Sequence, residues 1–396
     1  IVAISAYLVL LTIFGLIVAR KKVKTSDDMV TGGHRIPFII LVGTLLATWC
    51  GGGGITGSAS VVYTGGPWVG LITFAAPPIG IILLYFIAGK VRKSNKVTVP
   101  EIMGARYGKA ASIIAALCVM LAYVGVLATQ LKAAADIIVL LCASSGIEIS
   151  HGLALTICTA LIAIITVGGG LVSVAYSDAI SALLMIGGFF LAIPFLIGVA
   201  NSQGATLPPE KMTITGGMSG WELLGYFLPS LALMLGDQNM LQRFASAKNS
   251  DEAKKSNIGM FIGEILVIIS IVLVVTQAAK LYPTLDVPSN VIFQVAVDYL
   301  PLAFGALVMC ACMAFIVTTA DSYLLVSVQT CVHDIGKTIR PQMPERTEIS
   351  LSRIFSIVLP LGALVIAFSV AVLATPSCVK PFAFWNFLTA CCVRLP

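Results

Sequence analysis

Charged residues are the scarcest class in this sequence. Only 11% of its 396 residues are Asp, Glu, Lys or Arg, whereas 58% are hydrophobic. Soluble domains usually carry about 25% charged residues, so most of this chain does not face water. The net charge of +6 needs no nucleic-acid partner, because the basic residues are scattered beside apolar segments and form no single patch.

The signatures of enzymes and metal sites are missing as well. The sequence has no G-x-S-x-G, H-E-x-x-H or P-loop motif, and the glycines at 51–54 are not followed by Lys-Ser or Lys-Thr. His34, His151 and His333 fall in predicted loops or at the ends of predicted spans. No cysteine pair has metal-ligand spacing beside a histidine. These absences indicate a protein that is not an enzyme.

Long apolar runs are the dominant feature of the sequence. A helix of about 20 apolar residues spans the roughly 30 Å hydrocarbon core of a bilayer, and such runs recur along the whole chain. They predict an all-α polytopic membrane protein with helices near 1–19, 37–64, 69–89, 110–142, 151–167, 172–199, 221–245, 257–279, 302–330 and 351–374. A further apolar segment starts near 381, so we expect a bundle that is incomplete at its C-terminus.

The loops between these runs differ strongly in charge. Of the 24 Lys and Arg, 19 lie in four clusters, at 20–35, 90–109, 243–255 and 337–353, which alternate topology places on one side. The opposite loops offer only Lys211, Lys280 and Lys380. Basic loops remain in the cytoplasm. The sequence therefore predicts a multi-pass protein of the cell membrane whose N-terminus is extracytoplasmic.

Two predicted spans contain sequence that a continuous helix avoids. The first holds four consecutive glycines at 51–54, and each glycine costs roughly 1 kcal/mol relative to alanine inside a helix. The second holds Gly236, Asp237, Gln238 and Asn239, polar groups that are expensive at membrane depth and usually functional there. Close helix packing is the alternative for the glycines, and an ion pair between Asp237 and Arg243 is the alternative for the second stretch.

The positions of the two interruptions predict an inverted repeat. The second interrupted span comes five spans after the first, so the two enter the membrane from opposite sides, as in transporters built from inverted halves. We expect a single transporter domain with a leading helix and loop at 1–36, a first repeat at 37–200 and a second repeat at 221–396.

A polar face on the span 302–330 suggests a cation site. Ala314, Thr318, Asp321 and Ser322 recur at helical spacing and so share one face. Hydroxyl and carboxylate oxygens suit a small hard cation. Asp178, near the start of another span, is either a further ion ligand or a helix cap.

At these motifs the chain resembles the sodium:solute symporter family. The similarity lies in ATWCGGGGITG at 47–57, GGGLVSVAYSD at 168–178, GDQNMLQRFASAK at 236–248, and Thr318–Ser322 followed by His333-Asp334-Ile335. The resemblance implies a LeuT-like inverted five-plus-five helix repeat with one extra N-terminal helix. It also implies a secondary active transporter that couples inward sodium movement to uptake of a small organic solute by alternating access.

The resemblance also assigns sites residue by residue. The main sodium site would take carbonyls of Ala47, Cys50 and Phe315 with the hydroxyls of Thr318 and Thr319. A second sodium would use Asp178, Thr318, Asp321 and Ser322. The solute would contact residues beside the two interruptions, namely Trp49, Gly53, Gly54, Gln130, Asp237 and Gln238.

The expected partners are therefore sodium, a small organic solute and the lipid bilayer, with no nucleic acid and with the oligomeric state left open. The polar residues with which the sodium–glucose transporters of the family bind sugar are not apparent in this sequence. Of the aromatic box expected for choline only Trp49 fits, because Ile81 and Asp237 occupy positions where aromatic rings are expected. The alternative to a secondary active transporter is a symporter-like membrane sensor domain of a signalling protein.

Overall fold

The computed structural model describes residues 2–22, 31–94, 96–168, 170–340 and 342–373. The apolar segment predicted near 381 lies outside these residues. A leading helix, α1 (Val2–Lys22), precedes the broken pair α2 (Phe38–Trp49) and α3 (Ser58–Gly65). A π-helical turn, Gly53–Gly57, connects α2 to α3.

The rest of the first predicted repeat contains six helices. Gly108, with φ +89°, allows the sharp turn between the third and fourth of them. The helices are α4 (Pro67–Thr73), α5 (Ala76–Ser94), α6 (Val99–Tyr107), α7 (Lys109–Ser144), α8 (His151–Gly168) and α9 (Leu171–Ser202).

The second predicted repeat begins with an interrupted pair. A capping box between Ser219 and Glu222 starts α10, and Asp237 both ends α10 and caps the next helix. The helices of this half are α10 (Gly220–Gly236), α11 (Gln238–Ala245), α12 (Ser250–Leu281), α13 (Val291–Asp298), α14 (Leu302–Gln329), α15 (Lys337–Ile339) and α16 (Glu345–Leu373), with a π-helical stretch at Thr330–Gly336.

The helices confirm an all-α membrane fold. Each of the ten predicted spans contains helix. Six helical segments in the described part of the chain are long and apolar enough to cross a bilayer, and the pair Phe38–Trp49 and Gly53–Gly65, bent by 58°, makes up to seven. Shorter apolar helices cover Val2–Val18 and His151–Val167.

The centre of the bundle is formed by α14. Every residue from Val308 to Gln329 is buried, which is unusual for a membrane helix, since most have one face toward lipid. The helix packs against α7 and α9, and α2 packs against both α9 and α12. This arrangement brings the interruption after α2 next to the polar stretch of α14.

Candidate functional site: two helix interruptions and a polar seam

The first interruption begins where α2 ends. Cys50 departs from helical geometry, with ψ 36°, although its N–H still donates to the Leu46 carbonyl at 3.1 Å. The N–H of Gly52 donates to Oε1 of Gln130 on α7 at 2.6 Å. A side chain from another helix therefore satisfies a backbone donor that the break releases, as buried backbone groups require.

Gly51 and Gly52 allow side chains of neighbouring helices to approach the backbone of the break closely. A Cβ on Gly51 would lie 2.5 Å from Cγ2 of Thr319, and one on Gly52 would lie 2.8 Å from Oε1 of Gln130. Neither glycine has a positive φ. The freedom of glycine to leave the helix is thus only part of the reason for this run, because the first two glycines also let α14 and α7 reach the backbone of the break.

Two of the predicted main sodium residues, Ala47 and Thr319, meet at this contact. The Oγ1 of Thr319 donates to the carbonyl oxygen of Ala47 at 2.8 Å, and the Oγ1 of Thr318 is 3.4 Å from the Phe315 carbonyl. Cys50 is 5% exposed and Phe315 is fully buried. The Ala47 carbonyl of α2 and the Thr319 hydroxyl of α14 therefore join the two helices, and we call this contact the Ala47–Thr319 seam.

The four residues predicted for a second sodium fall into two groups. Asp178 and Ser322 both contact the guanidinium of Arg243. Asp321 instead accepts a hydrogen bond from Thr166, and with Thr318 it borders a cavity of about 10 Å³, close to the size needed for one water molecule. Residues Thr12, Gly15, Ser173 and Ser177 also line this cavity.

Arg243 is the largest fully buried side chain in the described residues. Its Nη2 donates to Ser322 Oγ at 2.8 Å and to Asp178 Oδ2 at 3.3 Å. Its Nε donates to Thr44 Oγ1 at 2.9 Å, and its Nη1 to Asn239 Oδ1 at 3.1 Å. One guanidinium on α11 thus holds α2, α9 and α14 together, and we call this group the Arg243 cluster.

The Arg243 cluster argues against one reading of the second interruption, the ion pair between Asp237 and Arg243. Arg243 forms an ion pair with Asp178, not with Asp237 as the alternative required. Asp237 instead accepts hydrogen bonds from the hydroxyls of Tyr123 and Tyr323 and from the N–H of Asn239. Asp178 is likewise no simple cap, because it lies two turns inside α9 and is fully buried.

The predicted solute residues differ in exposure. Trp49 and Gly53 are partly exposed and Gly54 is exposed. Gln130, Asp237 and Gln238 are at most 2% exposed, and the amide nitrogen of Gln238 donates to Thr330 at 3.1 Å. The structure therefore places three of the six at an accessible surface and three within the bundle, around the same two interruptions.

One polar residue at the break was not assigned from the sequence. Glu264 on α12 is 3% exposed, and its Oε2 accepts a hydrogen bond from the thiol of Cys50 at 3.1 Å. The indole of Trp49 also hydrogen-bonds to this carboxyl group. Its position in a long apolar run was the only sequence signal, since polar residues at membrane depth are usually functional.

Comparison with known proteins finds the same family that the sequence motifs resemble. The model of the sodium:solute symporter family matches residues 29–376. The chain is 24% identical to high-affinity choline transporter 1 of Drosophila melanogaster, over 93% of this chain and 62% of that protein. It is 28% identical to the sodium/pantothenate symporter of Escherichia coli K12, over 92% of this chain and 78% of that protein.

Solved structures show the same fold. A Na⁺-coupled sialic acid symporter in a substrate-bound outward-open state superposes with a TM-score of 0.80 at 17% identity, covering 98% of this chain and 83% of the other. A nucleobase-cation-symport-1 transporter gives 0.63 at 12% identity, covering 91% and 76%. The LeuT-like fold predicted from the sequence is therefore confirmed. With the family model matching most of the chain, this protein belongs to the sodium:solute symporter family.

Proposed function

We propose that this protein is a secondary transporter that couples inward sodium movement to the uptake of a small organic solute by alternating access. The observation that carries the proposal is the hydrogen bond between Thr319 and the Ala47 carbonyl. It places a hydroxyl of α14 against a carbonyl at the end of a broken helix, a combination of hard oxygen ligands that suits sodium.

In the proposed cycle, sodium binds at the Ala47–Thr319 seam and bridges α2 to α14. Carbonyls of Ala47, Cys50 and Phe315 and hydroxyls of Thr318 and Thr319 are its ligands. The solute then binds beside the two interruptions, at Trp49, Gly53, Gly54, Gln130, Asp237 and Gln238. Coupling follows because the two ligands stabilise the same conformation, and such coupling is reciprocal.

A second sodium is proposed at Thr318 and Asp321, beside the small cavity. Asp178 and Ser322, the other two predicted ligands, are held by Arg243 in this conformation. We propose that the Arg243 cluster keeps the cytoplasmic halves of α2, α9, α11 and α14 together. A nearby backbone bridge between Ile36 and Ala247 supports a closed arrangement on that side.

Sodium coupling is tested by Thr319→Ala and Thr318→Ala in vesicles that contain the full chain. Each substitution removes one oxygen ligand of the proposed sodium ion, so the sodium concentration for half-maximal uptake should rise about tenfold or more, which corresponds to about 1.4 kcal/mol. The control is Ser327→Ala, because the Ser327 hydroxyl donates to the Tyr323 carbonyl of its own helix and lies away from the seam. Solute uptake that ignores the sodium gradient in the unmodified protein would refute the proposal.

The proposed location is the cell membrane, with the basic loops in the cytoplasm. Single cysteines at two exposed positions, Gln203→Cys after the end of α9 and Lys255→Cys near the start of α12, test this orientation in a chain whose exposed Cys118 is replaced by Ser. In intact cells a membrane-impermeant maleimide should label the cysteine at 203 and spare the one at 255. The reverse pattern would show that the N-terminus is cytoplasmic.

A further inference from the structure

A small cavity lies beneath the leading helix. Its volume is about 10 Å³, which is close to the space that one water molecule needs, so it can hold a single small ion but no organic solute. Among the residues that the structure describes, the lining comes from α1, α8, α9 and α14 and not from the interrupted pairs. Its polar members are Thr12, Ser173, Ser177, Thr318 and Asp321.

Three hydroxyls at this cavity use their hydrogen elsewhere. Oγ1 of Thr12 donates to a carbonyl of its own helix at 2.7 Å, and Oγ of Ser173 donates to the Gly15 carbonyl at 2.7 Å. Oγ1 of Thr318 donates to a carbonyl of its own helix at 3.4 Å. A hydroxyl has one hydrogen and two lone pairs. These three oxygens are therefore acceptors toward the cavity, and a cation is the ligand that matches acceptors.

Two further polar groups at the cavity have no hydrogen-bonding partner among the described residues. Ser177 is 7% exposed and Asp321 is 5% exposed. The Ser177 hydroxyl and Oδ2 of Asp321 make no hydrogen bond within the described chain, whereas Oδ1 of Asp321 contacts Thr166. Burying a polar group without a partner costs free energy, and an unpaired carboxylate costs the most. A proton on Asp321 would satisfy one acceptor at the cavity, whereas a cation contacts all of them.

The buried guanidinium of Arg243 does not serve this cavity. It donates to Asp178 and Ser322, two of the four residues that the family resemblance assigns to a second sodium. The other two, Thr318 and Asp321, line the cavity, where hydroxyls of α1 and α9 take the place of the missing pair. One carboxylate and four hydroxyls are a set of hard oxygen ligands, which suits sodium.

We infer that a second sodium ion binds in this cavity, held by the Asp321 carboxylate and the hydroxyls of Thr12, Ser173, Ser177 and Thr318, and that it stays bound while the interrupted helices move. The leading helix, which lies outside the repeat, is then an ion-binding element. This inference rests on the proposed sodium coupling and specifies the ligands and the behaviour of its second ion.

Retention of this ion follows from the helices that surround it. The helices α1, α8, α9 and α14 pack against one another, and alternating access is proposed to move the interrupted pairs. An ion without ligands on the moving helices gains nothing from their movement, because a ligand shifts a conformational equilibrium only by its differential affinity for the two states. It affects the main site through Thr318, which the two sites share.

The first experiment measures equilibrium binding of radioactive sodium to the purified full chain without solute. We expect two ions per unmodified chain. In Ser177→Ala the apparent Kd of one ion should rise about tenfold, although this substitution removes no hydrogen bond between described residues. In Thr319→Ala the other ion, at the Ala47–Thr319 seam, should be weakened instead. The two effects should combine in the double variant.

The second experiment tests the leading helix. Thr12→Val keeps the shape of the side chain and removes its oxygen, and it should weaken the same ion as Ser177→Ala by about tenfold. The matched control is Ser5→Ala, which removes a hydroxyl at an exposed position of α1 and should leave both ions unaffected. Loss of affinity in Ser177→Ala without any loss in Thr12→Val would exclude the leading helix from the site.

The third experiment counts the sodium ions transported with each solute in vesicles. We expect one, although two are bound, and the same count in Ser177→Ala. Two transported ions per solute would show that the cavity ion is released and would overturn its retention.

The outcomes separate this inference from the proposed function. A single bound ion that Ser177→Ala leaves unchanged would show that the cavity holds only water, and it overturns the inference while sodium coupling stands. Two bound ions with the expected response to Ser177→Ala and Thr12→Val, but with uptake that ignores the sodium gradient, contradict the proposed coupling and leave the cavity site in place.

Discussion

Replacing Gly51 by Ala should reduce sodium-driven uptake at least tenfold. The added methyl carbon would lie 2.5 Å from Cγ2, 2.8 Å from Oγ1 and 2.9 Å from Cβ of Thr319. Overpacking of this kind costs about 1–3 kcal/mol, and here the displaced groups are the proposed sodium ligands. Uptake at a range of sodium concentrations measures the effect, which we expect mainly as a lower apparent affinity for sodium.

The neighbouring Gly57 provides the matched control. A Cβ at Gly57 meets no atom within 4 Å, and its backbone is helical, with φ −65° and ψ −46°. Gly57→Ala should therefore leave sodium affinity unchanged and should not destabilise the fold, since alanine is favoured over glycine in a helix by up to about 1 kcal/mol. Equal effects of the two substitutions would show that the contact with Thr319 is not what matters.

Replacing Arg243 by Gln should destabilise the protein by about 3–5 kcal/mol, because it leaves the buried carboxylate of Asp178 without its ion-pair partner. The loss should be visible as a lower Tm of the purified protein and as poor expression. The double variant Arg243→Gln with Asp178→Asn should recover much of this stability, since two neutral amides can occupy the same space without an unpaired charge.

The control for this pair is Arg106→Gln. Arg106 is exposed at the end of α6, where the loss of a single charge usually changes stability by less than about 0.5 kcal/mol. A double variant as unstable as Arg243→Gln alone would show that the guanidinium stabilises the four helices through hydrogen bonds to Thr44, Asn239 and Ser322, and not by neutralising Asp178.

Hydropathy and loop charge were sufficient to predict the helices, because lipid permits few backbone structures and leaves long apolar runs in the sequence. The break after α2 was also predictable, since four glycines in succession are incompatible with a stable continuous helix. The proposed main sodium residues followed from family resemblance alone, and the structure adds that Ala47 of α2 and Thr319 of α14 are in contact.

The partners of the buried charges could not be predicted in the same way. Arg243 is four residues from Asn239 and six from Asp237, so sequence proximity favoured a local pair, yet the structure gives it Asp178 from another helix. The sequence gives Glu264 no role because nothing local to α12 indicates its contact with Cys50 and Trp49. Such contacts depend on the rotation of each helix, which hydropathy constrains only where a face meets lipid.

The leading helix has a consequence for any attempt to shorten this protein. The Ser173 hydroxyl donates to the Gly15 carbonyl at 2.7 Å, and Tyr7 and Ser181 are linked by a hydrogen bond of 3.1 Å. Thr12 and Gly15 also form one wall of the cavity beside Thr318 and Asp321. Deleting α1 to leave only the repeated helices would turn this polar wall toward lipid acyl chains. A minimal version of this protein therefore has to retain the helix that lies outside the repeat.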